Sequence, residues 1–206
     1  FLIGRDAEGN EREGFSMLSL DGSLERQLLP ASDAFRRLGD FSPDGNRAIY
    51  ASTERNGRDF DLYVVEMSTG KARLIYESEF GFFPEAWQPN GDLVIVSETR
   101  GEDANDVYLL NAKTGDMAPL LQPKVAANFS DFQWLADGSG FYLATNQGRE
   151  FNAVAFYDLA SGQLRTLSAT DADADNVKLA GGGDLLLWTT NEEGYSKLQG
   201  VDLVTQ

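Results

Sequence analysis

The side chains that most often perform catalysis or bind metals are missing from this sequence, and carboxylates are the main chemistry that remains. The 206 residues include no His and no Cys, against 33 Asp and Glu. Without His, the chain alone cannot form a Ser-His-Asp site or a His-ligated metal site. Without Cys, it has no disulfide, thiolate nucleophile or zinc–thiolate site. We therefore predict no catalytic residue, cofactor-binding residue or metal ligand, and no catalysis by this chain alone.

One run of aspartates has the spacing that begins a cation-binding loop. Asp171, Asp173 and Asp175 alternate with alanines, as the first three ligands of a calcium loop alternate with other residues. The rest of that pattern fails, because Asn176 stands where the loop has glycine and Gly182 where it has the bidentate glutamate. The sequence favours a solvated acidic loop and leaves open whether the three aspartates bind a cation.

The charge balance excludes two classes of partner. Lys and Arg number 17, which leaves a net charge of −16 at pH 7. A field of that sign repels nucleic acid and anionic membranes. No apolar run approaches the roughly 20 residues of a membrane span, so none is predicted. The first residues do not have the pattern of a signal peptide, and because the first residue is Phe1, we expect that an upstream piece was removed or omitted.

The elements that would position these residues follow an internal repeat. Four turn-like segments end on glycines spaced about 46 residues apart, namely Gly45, Gly91, Gly138 and Gly183. Short apolar or aromatic runs alternate with polar, glycine-containing stretches after each turn. Runs of this kind, bounded by Gly, Asn, Asp or Ser, predict strands. Pro, Asp or Asn, and Gly within the turns favour tight bends, because Gly readily adopts a positive φ.

Each full repeat therefore contains four short antiparallel strands, called a, b, c and d. A repeat of about 40–45 residues with four strands is typical of a β-propeller blade. A β-sandwich would also have many short strands, but it predicts no such regular register. The near-continuous apolar b runs agree with a propeller, because inner strands of packed blades are covered on both faces. We predict an all-β chain, a β-propeller of four-stranded antiparallel blades.

About five blades are expected in one propeller domain, residues 1–206. Their approximate bounds are 1–37, 38–84, 85–131, 132–176 and 177–206. The first blade lacks strand a and the last lacks strand d, so neither end can complete the other's blade. We therefore expect an arc that is part of a larger propeller.

Aromatic residues recur at fixed places in the repeat, which indicates core packing. Trp87 and Trp134 occupy the same position as Phe41. Four tyrosines are assigned to the core for the same reason, Tyr50, Tyr63, Tyr108 and Tyr142. The connection Phe80-Gly-Phe-Phe83 is unusually rich in aromatics, and we expect a packed loop because exposed apolar patches are rare.

The repeat resembles that of a known family. This resemblance is carried by Phe41-Ser-Pro-Asp-Gly45, Ile49-Tyr50, Asp61-Leu-Tyr63 and Thr69-Gly70. The repeat is similar to the propeller of the prolyl oligopeptidase family of serine peptidases, which includes dipeptidyl and acylaminoacyl peptidases. It is also similar to the Tol-system periplasmic propeller. The opening stretch from Ile3 to Glu11 resembles the early blade of bacterial members of the peptidase family.

The resemblance to the peptidases implies a non-catalytic propeller that packs on an α/β-hydrolase domain and gates substrate access. Ser, Asp and His of the active site would belong to that domain, and this chain has no G-x-S-x-G elbow. The implied partners are the missing hydrolase domain, the remaining blades of the parent and peptide substrates. Dipeptidyl peptidases of the family also hold the substrate amine with a Glu pair. The adjacent pair here, Glu192-Glu193, falls in a polar hairpin and is not assigned that role.

Two other functions stay open. One is a protein-binding propeller of the Tol-system type, acting in the periplasm. The other is a propeller glycosidase using two carboxylates, which ranks last because the acidic residues fall mostly in hairpins and outer turns. The opening stretch favours the peptidase. Both the bacterial cytoplasm and the periplasm remain open as locations, because a chain without Cys suits either.

Overall fold

The computed structural model describes residues 1–6, 8–168 and 170–204. These residues form eighteen β-strands in five antiparallel sheets, together with one short 3₁₀ turn, Gly181–Gly183. Within every sheet the strands lie side by side in chain order. No helix in the described ranges is long and apolar enough to cross a membrane.

The first sheet has three strands, β1 (Leu2–Arg5), β2 (Gly14–Leu18) and β3 (Glu25–Leu29). The second has four, β4 (Arg36–Phe41), β5 (Arg47–Ser52), β6 (Asp61–Glu66) and β7 (Ala72–Tyr76). The third has four, β8 (Phe82–Trp87), β9 (Leu93–Thr99), β10 (Asn105–Asn111) and β11 (Met117–Leu121). The fourth has four, β12 (Phe129–Trp134), β13 (Gly140–Thr145), β14 (Ala153–Asp158) and β15 (Gln163–Ser168). The fifth has three, β16 (Ala174–Ala180), β17 (Leu185–Glu192) and β18 (Tyr195–Asp202).

This arrangement confirms the predicted all-β chain of antiparallel propeller blades, with five sheets for about five blades. The first strands of successive sheets are neighbours, since β4 contacts β8, β8 contacts β12 and β12 contacts β16. These four strands are therefore the inner strands of the arc. The other strands of each sheet follow outward from them in the order b, c and d.

The middle strands of the sheets are buried because sheet faces pack against one another. All residues of β13 and five of the six residues of β14 are buried, whereas the outer strand β15 has none. One apolar cluster joins the second and third sheets, with Ile49 and Leu62 on one side and Val94 on the other. Burying one such side chain contributes about 1.5–3 kcal/mol. Packing between the sheets therefore supplies much of the stability of the arc.

The two tryptophans are buried as predicted, with 4% of Trp87 and 8% of Trp134 exposed. The indole N–H of Trp134 donates to the carbonyl of Ala86 in the preceding sheet, 3.2 Å away. Phe41 has the same position in β4 but is 37% exposed, so the prediction of core packing is wrong there. The first sheet has three strands and, within the described residues, supplies no counterpart of β4 that would cover Phe41.

The tyrosines assigned to the core are buried at Tyr50, Tyr63 and Tyr142, and Tyr108 is partly buried. Tyr50 stacks on Tyr63, with ring centroids 5.3 Å apart. The Tyr50 hydroxyl is buried, and the described residues give it no hydrogen-bond partner. Burial raises the pKa of Tyr50 well above its usual range, so this hydroxyl remains neutral.

The Tyr50→Phe variant is expected to be more stable than the natural chain by about 1 kcal/mol, because it removes a buried and unsatisfied hydroxyl. A shift of the urea midpoint at constant slope measures the change. The matched control is Tyr108→Phe, because the Tyr108 hydroxyl donates to Glu98 at 2.6 Å. The free energy of unfolding of that control should be lower by about 1 kcal/mol, because the substitution removes a hydrogen bond. An equal loss in both variants would contradict the account of Tyr50.

Candidate functional site

The loops of the arc divide between two ends. Because neighbouring strands are antiparallel, the b–c hairpins lie at the same end as the connections from one sheet to the next. We call this end of the arc the connection end. It comprises the hairpins 53–60, 100–104 and 146–152 and the connections 30–35, 77–81, 122–128 and 170–173. The a–b and c–d turns lie at the opposite end.

An ion pair with a buried carboxylate joins the hairpin of the second sheet to the connection that follows it. The Asp61 side chain is fully buried, and Arg55 donates to it through Nε at 2.7 Å and Nη2 at 2.9 Å. The backbone N–H of Ser78 donates to the same carboxylate at 2.8 Å, and Arg55 donates to the Ser78 carbonyl at 3.0 Å. These four hydrogen bonds fix the hairpin against the connection.

A second carboxylate at this hairpin is held in the same way. The Arg58 guanidinium donates to both oxygens of Asp59, at 2.8 and 2.9 Å, and Asn56 donates to one of them at 2.7 Å. These hydrogen bonds hold the pKa of Asp59 well below its usual range, and the bond from Arg58 has the largest effect. The backbone N–H of Phe80 also donates to Asp59, at 3.1 Å. Asp59 therefore stays charged and positions the connection.

The third sheet repeats the arrangement. Arg100 donates through Nε to Asp106 at 2.8 Å, and the amide of Asn105 exchanges two hydrogen bonds with the backbone of Phe129 in the next sheet. Burial, followed by the hydrogen bond to Glu98, raises the pKa of Tyr108 to about 12. Sequence reasoning missed these pairs. The available signal was an Arg followed six residues later by an Asp in both hairpins.

A cleft opens between the hairpin of the second sheet and the connection that follows it. Its lining includes Arg55, Arg58, Glu79 and Phe80. Both arginines are already bound to carboxylates. The serine of the lining, Ser78, is buried and donates its hydroxyl to a backbone carbonyl at 2.7 Å. A serine engaged in this way, with no histidine in the chain, is not an activated nucleophile.

The aspartates with calcium-loop spacing lie on the connection before β16 and at the start of β16 itself. Asp173 accepts a hydrogen bond from the backbone N–H of Asn152 at 2.8 Å. Partial burial, followed by the carboxylates of Asp173 and Asp131, raises the pKa of Asp175. Across the described ranges, no group of three acidic side chains is arranged to hold a metal ion. Asp171 is exposed on the connection, whereas Asp175 lies in β16.

Of the adjacent glutamates, Glu192 is the last residue of β17 and Glu193 lies in the turn before β18. The Lys197 ammonium donates to Glu192, and this bond holds the pKa of Glu192 below its usual range. Glu193 is exposed, with a positive φ of 54°. Glu193 therefore lies in an exposed turn, and Glu192 is engaged by Lys197 at the end of its strand.

The aromatic connection is only partly packed. Phe82 is 7% exposed, and the ring of Phe83 lies 5.2 Å from that of Phe60. Phe80 is 70% exposed, so the prediction of a packed loop is wrong for this residue. Its φ of 81° places it in the left-handed region, from which its side chain extends into solvent.

Two curated proteins with peptidase names are similar to the chain. It is 20% identical to "Uncharacterized peptidase YuxL" of Bacillus subtilis over 151 residues, which is 73% of this chain. It is 25% identical to "Dipeptidyl-peptidase 5" of Porphyromonas gingivalis over 145 residues, which is 65% of this chain. The chain spans 21% of the length of each relative. No protein-family model matches it.

Solved structures share the fold at low identity. TolB from Acinetobacter baumannii superposes with a TM-score of 0.73 at 20% identity, over 95% of this chain and 47% of its own. Prolyl oligopeptidase B from Galerina marginata gives 0.74 at 14% identity, over 98% of this chain and 32% of its own. The structural matches show the propeller fold. Together with the peptidase matches, they confirm the resemblance to the propeller domain of prolyl oligopeptidase-family peptidases.

The Asp61→Asn variant tests whether the buried pair holds the connection end. The substitution leaves the Arg55 charge without its carboxylate. We expect the free energy of unfolding to fall by about 2 kcal/mol, which is less than for a fully buried pair because Arg55 is partly exposed. Urea denaturation measures the loss. The control is Glu102→Gln in the next hairpin, where an exposed side chain should change stability by less than about 0.5 kcal/mol. Equal stability of the two variants would contradict the role given to Asp61.

Proposed function

We propose that this chain is the non-catalytic propeller domain of a prolyl oligopeptidase-type serine peptidase. In this role it packs on an α/β-hydrolase domain and gates the access of peptide substrates. The sequence similarity to two peptidases carries the proposal. Each is matched over only 21% of its length, which leaves room for a hydrolase domain outside the matched part. This chain has no His, so the general base would come from that domain.

The packing of the arc supports a gating role. The inner strands β4, β8, β12 and β16 lie side by side and would form the wall of the substrate passage. Sheet faces packed against one another set the position of that wall, because close-packed cores resist deformation. The ion pairs Arg55–Asp61 and Arg100–Asp106, each with a buried carboxylate residue, hold the loops at one rim. A passage of fixed width would admit short or unfolded peptides and exclude folded proteins.

A second candidate is a protein-binding propeller of the Tol-system type. The superposition on TolB, which covers 47% of that structure, favours it. In that case the chain would belong to a protein that ends soon after the propeller is complete, and it would bind an envelope protein. The two candidates differ in whether the parent protein carries a hydrolase domain.

The parent reading frame distinguishes the two candidates. The peptidase proposal expects further blades and an α/β-hydrolase segment with a G-x-S-x-G elbow, followed by Asp and then His. Substituting the elbow Ser with Ala in the parent should abolish peptidase activity and leave folding intact. Variants with substitutions in residues 1–206 should still cleave the shortest peptides.

A frame that closes the propeller without a hydrolase segment would rule out the peptidase. In that case, capture of one envelope protein by the purified parent would support the Tol-type function. A hydrolase domain that binds this chain and restores size-limited cleavage would support the peptidase directly.

A further inference from the structure

A small apolar pocket, here called the aromatic pocket, lies between the b–c hairpin of the second sheet and strand β8. Its volume is about 190 Å³, and its lining consists of Phe60, Phe80, Phe83, Gly81, Thr99 and Arg58. The centroids of the Phe60 and Phe83 rings are 5.2 Å apart. An apolar cavity of roughly 150 Å³ admits a group the size of benzene, whereas sites for whole small ligands measure roughly 300–1,000 Å³. The aromatic pocket therefore fits a single large apolar side chain.

An arginine with unused hydrogen-bond donors lies against one ring of this pocket. Arg37 is exposed in the inner strand β4, and its Cζ is 4.7 Å from the centroid of the Phe83 ring. Among the described residues, no oxygen accepts a hydrogen bond from this guanidinium. Its neighbour Arg36 differs, because it donates to Glu54 at 2.8 Å and to a backbone carbonyl at 2.6 Å. The Arg37 fork is therefore available for bidentate binding of a carboxylate.

The propeller repeat does not require these side chains at their positions. Arg37 and Phe83 occupy the same register of their inner strands, and the equivalent residues of the next two sheets are Ser130 and Asp175. A cation, a ring, a hydroxyl and a carboxylate all fit this register, so packing does not determine the side chain. Where the second connection has Phe80, two residues before an inner strand, the other connections have Ala34, Ala127 and Ala172. Side chains that the scaffold leaves free to vary suit recognition.

The charges beside the aromatic pocket indicate a ligand that carries an anion next to its apolar group. Glu77 and Glu79 line the neighbouring cleft and not the pocket. Arg58, which lines both, is paired with Asp59. Arg37 therefore supplies the cation that is free to bind a ligand here. The net charge of −16 does not cancel this attraction, because charges farther away than roughly 8 Å are largely screened at physiological salt.

We propose that this site binds the carboxyl end of a peptide substrate that terminates in a large apolar residue. The apolar side chain enters the aromatic pocket, and the terminal carboxylate accepts two hydrogen bonds from Arg37. The Phe83 ring lines the pocket and also carries the guanidinium, so one terminal residue can reach both. This inference rests on the proposed function, because it assigns a peptide-binding site to the inner strands that would form the wall of the substrate passage.

Binding of labelled peptides to the 206-residue chain tests the carboxylate contact. Two peptides of one sequence end in Phe, the first as the free acid and the second as the amide, and fluorescence anisotropy measures their affinities. The acid should bind at least about tenfold more tightly, because the amide cannot accept two charge-assisted hydrogen bonds from Arg37. Added salt should weaken binding of the acid more than that of the amide. Equal affinities, or no binding of either peptide, would overturn the proposal.

Arg37→Ser tests the arginine itself, with the residue that the repeat has at Ser130. This variant should bind the acid at least about tenfold more weakly and the amide as the natural chain does. The matched control is Arg165→Ser in the outer strand β15, where an exposed guanidinium also stacks on a ring, 5.4 Å from the centroid of Phe156. The control should bind both peptides normally, and the melting temperatures of both variants should match that of the natural chain. An equal loss of affinity in both variants would overturn the role of Arg37.

Phe80→Ala tests the aromatic pocket, because Ala is the residue at the equivalent positions of the other connections. The acid that ends in Phe should bind at least about tenfold more weakly to this variant. An otherwise identical acid that ends in Ala, which cannot fill the pocket, should bind both proteins equally. The melting temperature should not change, because the Phe80 ring is largely exposed. Unchanged affinity for the acid that ends in Phe would overturn the assignment of the pocket.

The proposed function and this inference fail in distinguishable ways. A parent reading frame without a hydrolase segment removes the proposed function, whereas acid-dependent binding to the 206-residue chain would still support the site. In a parent that has the segment, Arg37→Ser should raise KM for acids that end in Phe about tenfold and leave kcat unchanged. An unchanged KM in that parent would overturn this inference alone.

Discussion

The packing of each sheet face against the next is the constraint on which the rest of the structure depends. A strand such as β13, with every residue buried, needs an apolar partner on both faces. Trp134 shows how that partner is supplied, because its ring packs with Phe141 of its own sheet and Ala86 of the sheet before it. A blade is therefore completed only by its neighbour, and the regular repeat of the sequence preserves that register.

This constraint separates the residues that hold the fold from those that can take part in recognition. Once the strands supply the core, the loops are free to vary on a rigid support. Ion pairs with a buried carboxylate residue, Arg55–Asp61 and Arg100–Asp106, then fix the geometry of the loops at the connection end. Removing one partner of such a pair is costly even where the pair itself adds little net stability. Arg55 and Arg58 beside Phe80 are both paired with carboxylates, and the exposed Glu77 and Glu79 make the surface around that ring acidic.

The regular part of the fold could be predicted because it depends on local chemistry. Gly45 and Gly138 both have a φ of 68°, as the turn pattern requires, and the spacing of such turns indicates the blades. Burial at one register position depends on a neighbouring sheet, so no local pattern distinguishes Phe41 from the tryptophans. Exposure of Phe80 depends on a hydrogen bond to Asp59, 21 residues away in sequence. The sequence therefore indicated an aromatic-rich connection, but the exposure of Phe80 on it could not be predicted.

The size dependence of cleavage by the full-length parent tests the central claim most directly. The measurement is kcat/KM for a series of substrates that share one cleavage site and grow from a short peptide to a folded protein. A passage bounded by packed blades predicts a steep fall in kcat/KM once the substrate exceeds its width, with little change among the shortest peptides. Equal kcat/KM for short peptides and for the folded protein would contradict a gating propeller.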